Sequence, residues 1–492
     1  MKEVLDVHAL RMILEKSLSY LQPFFRQSEI ENFIFDFSRD KSSIQRLISW
    51  MIIIGIIPDA PEKFVSQLLS ICLNYYSFLV DYQLLNRKKS PLLKLDGKNS
   101  NLISGDTKRT IFWYSQNKNN ISSKINEIDN EIREKYLNVN HKNKEKKSEE
   151  QKNEEQKNEE QKNEEQKNKE QKNKEQKNKE QKNKEQKNKE QKNDEPKNKL
   201  VMNQIDDNEE TLFRINRIFT ILILSDNDYE YSQGEERFAY ASFLLASQFA
   251  TIFSLPKLFV ESLTFSLTKK FVELSMIGDL VAGGEKSIDN FARLDAKIAH
   301  YFPKVAEELH KYGNASQHFA MRWEMLLFAD EHEIMSLFLI WDHIIFHSYS
   351  NKEGLKESGS DIEINNKSDD SENESHHKSD SENSSENSHE DILKPNPIKQ
   401  VIDFINKRKI IECFVLSHVG QVAQNMNIFG GGKLVKKLQQ YKDWNAEMIV
   451  EDAELIFENY SLDIKDKSKE KTQSEPQGIV GTIISTVLGL LK

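Results

Sequence analysis

Apolar residues recur every three or four positions through much of this chain, most clearly between residues 312 and 347. Side chains at that spacing share one face of an α-helix and need a partner surface to cover them. The stretch therefore predicts two helices that pack as a hairpin on either side of a short acidic turn. One apolar face comprises Phe319, Trp323, Leu326 and Leu327, and the other comprises Ile334, Leu337, Phe338, Trp341, Ile344 and Ile345.

The same periodicity predicts further helices on both sides of this hairpin. Residues 44–58 contain an apolar run too short to cross a bilayer, which takes about 20 residues, so we expect a buried helix there. Residues 90–92 are typical of a turn and loop, and a Lys/Asn-rich linker follows Trp113 and Tyr114. The other predicted helices are one or two short ones in 1–37, then 63–82, 125–136, 211–225, 238–249, 256–277, 287–301, 401–416 and 434–457.

Two long stretches have no apolar face at any helical period. Residues 142–199 contain repeats of QKNEE and QKNKE, and residues 349–396 are rich in Ser, Asn and acidic side chains. Such compositions cannot bury enough apolar surface to fold, so we expect two disordered inserts. His376 and His377 lie in the second insert, but their spacing lacks a closed ligand set, and no metal site is predicted.

These inserts divide the chain into one interrupted domain with extensions. Residues 478–492 form an amphipathic apolar tail, too short to span a membrane as a helix. An interfacial anchor, a partner-binding helix and a segment docked on the domain all fit this tail. The predicted parts are an N-terminal helical extension (1–37), three domain segments (38–141, 200–348 and 397–460), the two inserts, a linker (461–477) and the tail.

Charge and cysteine content exclude several classes of protein. A net charge of −10 argues against a general nucleic-acid binder, which needs a basic face. Cys72 and Cys413 lie far apart in apolar segments, which supports neither a disulfide framework nor a cysteine-rich metal site. The N-terminus lacks the pattern of a signal peptide, so a cytoplasmic protein is expected.

Several short motifs resemble those of TBC-domain Rab GTPase-activating proteins. Residues 319–323 read FAMRW and residues 340–342 read IWD, close to the family's FAFRW and IWD signatures. Arg46, Trp50, Gly55 and Pro58 match its R-x-x-x-W-x-x-x-x-G-x-x-P opening, and residues 438–441 and 449–457 are similar to its end. The resemblance implies an all-α, TBC-like multi-helix domain. In it, the structural motif residues are Arg46, Trp50, Phe319, Arg322, Trp323, Trp341 and Asp342, with Arg322 and Asp342 expected to be buried partners.

The resemblance also implies a chemistry performed on another protein. Family members supply an arginine from I-x-x-D-x-x-R and a glutamine from Y-x-Q-G to a Rab GTPase. The permanently charged, forked arginine can stabilise charge developing on the transferred phosphate, and the glutamine amide can orient the attacking water. GTP and magnesium belong to the partner GTPase in this scheme, so the chain needs no cofactor of its own.

The Y-x-Q-G motif is intact at Tyr231, Gln233 and Gly234. Its position at a turn before an apolar helix makes Gln233 the leading catalytic candidate, with Tyr231 and Gly234 as motif support. Glu235 and Glu236 follow where the family continues with QGMN. Two negative charges are thus expected close to a site that must meet an anionic nucleotide.

The arginine candidate is Arg133, in a segment that matches the family motif imperfectly. Aligned with I-x-x-D-x-x-R from Ile128, the segment places Glu131 at the acidic position and Arg133 one residue before the finger. One residue rotates a helical side chain by about 100°, so Arg133 would point away unless the backbone shifts. Pairing of Arg133 with neighbouring carboxylates on a solvated helix is the alternative.

These observations give three hypotheses for function. The first is a GTPase-activating protein for a Rab-family GTPase in vesicle traffic, cytoplasmic and peripheral on an endomembrane through its tail. The second is a catalytically inactive TBC-fold protein that binds a Rab or acts as a scaffold, which the displaced arginine and the two glutamates favour. The third, an unrelated helical scaffold, depends on whether the Tyr231 turn and the 125–136 segment come together.

Overall fold

The structure is a computed structural model that describes residues 4–123, 127–138, 199–275, 280, 285–349, 397–424 and 433–460. Both predicted inserts lie outside the described residues, apart from one residue at an end of each. The predicted tail at 478–492 lies outside them as well. No helix among the described residues has both the length and the apolar character needed to cross a membrane.

The described residues form sixteen α-helices and no β-strand, which confirms the all-α prediction. Two 3-10 turns, Gln22–Phe25 and Pro91–Lys94, lie between them. In chain order the helices are α1 (Val7–Leu21), α2 (Gln27–Ile34), α3 (Ser43–Ile53), α4 (Pro61–Asp81), α5 (Gly97–Ser123), α6 (127–138), α7 (Lys199–Ser225), α8 (Glu236–Phe253), α9 (Lys257–Ser275), α10 (Glu285–Tyr301), α11 (Pro303–Lys311), α12 (Gln317–Met325), α13 (Ile334–Tyr349), α14 (Pro397–Gln424), α15 (Leu434–Gln440) and α16 (Ala446–Asn459).

The contacts divide the chain into two compact units, where the sequence predicted one interrupted domain. Unit 1 contains residues up to Glu273 together with Glu333–Met335, and unit 2 contains Leu274–His332 with the residues from Ser336 onward. The predicted N-terminal extension is an integral part of unit 1, because Leu10, Leu14 and Leu21 of α1 are fully buried.

Helix α3 occupies the centre of unit 1. The side chain of Ser42 caps its N-terminus by accepting a hydrogen bond from the backbone N–H of Gln45 (3.1 Å). Arg46 and Trp50 are fully buried, and the Trp50 ring lies edge-on to Phe271 with centroids 5.6 Å apart. The two motif residues predicted to be structural in this helix are therefore in the core.

A buried charge network joins α4, α7 and α9 in unit 1. The carboxylate of Glu261 accepts hydrogen bonds from Arg214 Nη1 (2.6 Å), Arg217 Nε (2.6 Å) and Tyr75 Oη (2.6 Å). Arg217 is fully buried and Arg214 nearly so. Buried cations are stable only when paired, so Glu261 holds this part of the core together.

Unit 2 contains α12 and most of α13, which confirms the two helices of the predicted hairpin. Phe319, Trp323 and Trp341 are buried, and Trp341 Nε1 donates to the backbone carbonyl of Leu327 (2.8 Å) in the connecting turn. The predicted pairing of Arg322 with Asp342 is wrong. Arg322 is 45 % exposed and pairs with Glu331, which lies in the turn after α12. Asp342 is fully buried.

Two other sequence predictions need correction. Residues 97–123, for which the sequence predicted no helix and, after Tyr114, a linker, form α5, the 27-residue helix. Residues 434–457, predicted as one helix, form α15 and α16, because the chain is extended at Tyr441 and Asn445 caps α16 through its side chain (3.1 Å to the N–H of Met448).

Candidate functional site

The Y-x-Q-G motif forms a rigid turn at the start of α8, in unit 1. The Tyr231 ring is buried against Phe219, with centroids 5.0 Å apart. Gly234 has a φ of +105°, a conformation that other residues adopt only with strain. Its backbone N–H donates to Glu236 Oε2 (3.0 Å). The turn leaves the side chain of Gln233 exposed to solvent, while Tyr231 and Gly234 of the same motif are buried.

Helix α5 is bonded directly to this turn. Tyr231 Oη lies 3.1 Å from Asp106 Oδ2 and 2.9 Å from Glu236 Oε2, and Thr110 Oγ1 donates to Glu236 Oε1 (2.8 Å). Asp106 is almost completely buried, and burial raises its pKa despite the bonds it accepts. Residues four apart on a helix share a face, so Asp106 and Thr110 present one surface of α5 to the turn.

Arg109 lies on α5 beside these residues. One of its guanidinium nitrogens contacts Asp106 Oδ1, while 65 % of its side chain is exposed. Asp106 therefore bonds Arg109 through one oxygen and Tyr231 through the other, and Tyr231 is two residues from Gln233. An exposed guanidinium and an exposed amide thus project from two segments joined by a buried carboxyl group.

Arg109 is a candidate that the sequence interpretation missed. Ile103, Asp106 and Arg109 reproduce the I-x-x-D-x-x-R spacing without a gap or substitution, and Ile103 and Asp106 are both buried. The signal was therefore present in the sequence as a motif. It was overlooked because apolar periodicity predicts no helix in residues 93–112.

The structure does not bring Arg133 to this site. Arg133 is exposed on α6, whose other face buries Asp129, Ile132 and Tyr136. Tyr136 Oη donates to the carbonyl of Phe253 (3.1 Å), the last residue of α8, whereas Gln233 precedes the first. The 18-residue α8 is about 27 Å long, and α6 contacts the end of α8 that is far from Gln233. Arg133 and Gln233 therefore do not form one site.

The acidic group that matters in α6 is Asp129, not Glu131. Glu131 is 61 % exposed and pairs with Lys135. Asp129 is fully buried and accepts a bond from the Ser43 N–H (2.9 Å) at the N-terminus of α3, as well as one from the Ser42 hydroxyl. A carboxylate there complements the positive end of the helix dipole, so α6 has a structural role in positioning α3.

Glu235 and Glu236, the two glutamates after the motif, do not place two exposed negative charges at the site. Glu235 is fully buried, and burial raises its pKa to about 8, so the group is largely neutral at pH 7. The hydroxyl of Tyr229 donates a hydrogen bond to the carboxyl group of Glu235. Glu236 faces inward and accepts bonds from Tyr231, Thr110 and Gly234. Both buried side chains therefore stabilise the turn through hydrogen bonds, contrary to the expectation from sequence.

The comparison with protein families bears on this site. The family model of the Rab-GTPase-TBC domain matches residues 127–357. The chain carries a TBC domain. The matched residues include Gln233 and Arg133, and the match begins after Arg109, so the assignment of Arg109 depends on its motif spacing and contacts. No curated protein and no solved structure shows a significant match to the chain.

This candidate site combines two exposed polar side chains with buried groups that contact their surroundings. Arg109 and Gln233 are both exposed, whereas Asp106, Tyr231 and Glu236, which join their segments, are buried. A guanidinium offers paired donors to phosphate oxygens, and a primary amide both donates and accepts. These two residue types are therefore chemically able to contact a phosphate group and a water molecule.

Proposed function

We propose that the protein is a GTPase-activating protein for a Rab-family GTPase and acts through Arg109 and Gln233. The observation that carries the proposal is the Asp106 carboxyl group. It contacts Arg109 of the I-x-x-D-x-x-R motif with one oxygen and Tyr231 of the Y-x-Q-G motif with the other. Two motifs more than a hundred residues apart in sequence are thereby joined by one buried side chain.

In the proposed reaction, Arg109 stabilises the negative charge that develops as the γ-phosphoryl group leaves GTP. Its side chain is 65 % exposed, so it can exchange one contact with Asp106 for phosphate oxygens without unfolding any structure. Asp106 keeps its bond to Tyr231 during that exchange. Arginine fingers of this kind accelerate GTP hydrolysis by about 10³ to 10⁵.

Gln233 is proposed to orient the attacking water. Its amide can donate to one oxygen and accept from the water, but only if the backbone holds it in a fixed place. The positive φ of Gly234 and the bond from its N–H to Glu236 fix that place. Glu236 in turn accepts from Thr110 of α5, which ties the glutamine to the helix that carries Arg109.

The inactive, Rab-binding alternative loses the two sequence features that favoured it. The displaced arginine is replaced by Arg109 in a complete motif, and Glu235 and Glu236 are buried in the turn. The catalytic proposal is therefore the better supported of the two. Binding without acceleration is retained as an outcome of the experiment.

The test is single-turnover GTP hydrolysis by a panel of Rab GTPases with the wild-type chain, Gln233→Ala and Arg109→Ala. We expect acceleration of at least one Rab, reduced by about 10³-fold or more in each variant. Binding of each variant to that Rab in its GTP state is measured in parallel. Wild-type binding without acceleration would show a non-catalytic Rab-binding protein instead.

We also propose that the protein works in vesicle traffic on the cytoplasmic side of an endomembrane, with residues 478–492 as the peripheral contact. The support is the amphipathic apolar pattern of that segment. Liposome flotation of the full chain and of a chain ending at residue 477 tests it. Flotation that does not depend on these residues would refute the contact.

A further inference from the structure

Two histidines and a glutamate from different helices meet in unit 2. His343 and His347 lie four residues apart on α13, which places both rings on one helix face. Glu454 of α16 lies opposite them, and the three side chains bring one ligand atom each to within 4.8 Å of one another. Sequence motifs did not reveal this cluster, because Glu454 is more than a hundred residues from the two histidines in the chain.

The donor atoms already face one another. His343 Nδ1 lies 2.5 Å from Glu454 Oε1, and His347 Nε2 lies 2.8 Å from both carboxylate oxygens. Two imidazole nitrogens and one carboxylate oxygen are a donor set that binds Zn²⁺ and related transition metals, with a fourth position left for water.

Only a small movement would admit an ion. Zn–N and Zn–O bonds of about 2.0 to 2.2 Å in a tetrahedron place neighbouring ligand atoms about 3.4 Å apart. The two histidine-to-carboxylate distances of 2.5 and 2.8 Å are therefore short by less than about 1 Å. All three donor atoms already lie within 4.8 Å of one another, so side-chain rotations of His343, His347 and Glu454 are the movements required.

The surroundings allow entry and fix one ligand. The side chain of His343 is fully buried, whereas His347 is 14 % exposed and Glu454 is 12 % exposed. An ion can therefore approach from the side of His347 and Glu454. The ring of Phe457 lies 4.2 Å from the His347 ring, centroid to centroid, and restricts its orientation.

We propose that His343, His347 and Glu454 bind a divalent transition-metal ion, with Zn²⁺ as the best match to the donor set. The ion would join α13, which carries the Trp341 and Asp342 signature, to α16 near the end of the described chain. Its role is structural and separate from the Arg109 and Gln233 site of unit 1. The inference does not depend on the proposed catalytic function.

The experiment measures Zn²⁺ binding to the full-length chain by competition with a chromophoric chelator, and Co²⁺ binding by visible absorption. All variants are made in a His376→Ala/His377→Ala background, which removes the histidine pair of the acidic insert. We expect one equivalent of Zn²⁺ and a tetrahedral Co²⁺ spectrum. Absence of binding by this background protein would overturn the proposal.

His347→Gln and Glu454→Gln are the test variants, because an amide keeps a hydrogen bond between the helices but is a poor metal ligand. Each should weaken Zn²⁺ binding by more than about 100-fold, since loss of a direct ligand exceeds the 10 to 100-fold effect of an outer-shell change. Exposed His300→Gln is the matched control and should bind as before. Undiminished binding by either test variant would also overturn the proposal.

Discussion

Replacing Tyr231 with Phe tests whether the buried phenol connects the two halves of the proposed catalytic site. The hydroxyl lies between Asp106 and Glu236, at 3.1 and 2.9 Å. It has a single proton, so it donates to one carboxylate at a time. Loss of one hydrogen bond to a charged group costs about 1.5 to 3 kcal/mol. Neither carboxyl is left unpaired, because Asp106 keeps Arg109 and Glu236 keeps Thr110 and Gly234.

We therefore expect Tyr231→Phe to lower the free energy of unfolding by about 2 kcal/mol. The effect on Rab GTP hydrolysis should be larger, about 10²-fold, because a displacement near 1 Å is enough to misplace a catalytic group. Urea unfolding gives the first value and single-turnover hydrolysis gives the second. Binding to the Rab should change little, since the phenol is buried.

Tyr229→Phe is the matched control for this experiment. Its hydroxyl also donates to a buried glutamate of the same turn, Glu235, but among the described residues neither side chain hydrogen-bonds to α5. Because Glu235 has a pKa of about 8, the bond joins largely neutral groups at pH 7 and contributes about 0.5 to 1.5 kcal/mol. Equal losses of hydrolysis in the two variants would refute the argument that the Asp106 contact is what matters.

Two further predictions concern buried carboxylates of unit 1. Glu261→Gln should lower the free energy of unfolding by about 3 to 5 kcal/mol because it removes the carboxylate that Arg214 and Arg217 both contact in the core, and of these two Arg214 still contacts Glu210. Glu210→Gln, at a 19 % exposed side chain, should cost about 1 kcal/mol or less, and equal costs in urea unfolding would contradict the reasoning. For Glu235, folding raises the pKa from 4.5 to about 8, so the native state binds the extra proton and stability falls as pH rises through that window. The stability of wild type minus that of Glu235→Gln should decrease from pH 5 to pH 8, and a difference independent of pH would show that Glu235 ionises normally.

The parts of the fold predicted well from sequence are those in which the buried face is apolar. In α12 and α13 the positions at helical spacing are Phe, Trp, Leu and Ile, so period and burial agree. The Y-x-Q-G turn was found for a different reason, because its chemistry lies within four adjacent residues. Both signals are local in the chain.

Helix α5 was missed because its buried face is largely polar. Residues at 3.6-residue spacing are buried, but they include Asp106, Thr107, Thr110 and Asn117. Their partners are distant in sequence, as in the bond from Thr107 Oγ1 to Asn216 Oδ1 (2.9 Å). Hydrophobic periodicity cannot detect such a face, since polar groups are buried only when specific partners satisfy them. The I-x-x-D-x-x-R motif lies on this helix, so the motif was not recognised either.

The burial of Glu235 and Glu236 was also beyond sequence reasoning. Two glutamates in a turn are ordinarily solvated, and nothing local indicates that Tyr229, Tyr231 and Thr110 hold them inside. The direction of their side chains depends on how α5 packs against the turn. That packing became visible only in the structure.

The central claim is that Arg109, and not Arg133, acts together with Gln233. The most direct test is single-turnover GTP hydrolysis by one responsive Rab with Arg109→Ala and Arg133→Ala compared side by side. Both residues are exposed arginines on helices of unit 1, but Arg109 also contacts the buried Asp106 carboxyl group, so urea unfolding of both variants is compared in parallel. We predict that Arg109→Ala loses about 10³-fold or more of the acceleration and that Arg133→Ala retains it. Loss of acceleration in Arg133→Ala with full activity in Arg109→Ala would contradict the account.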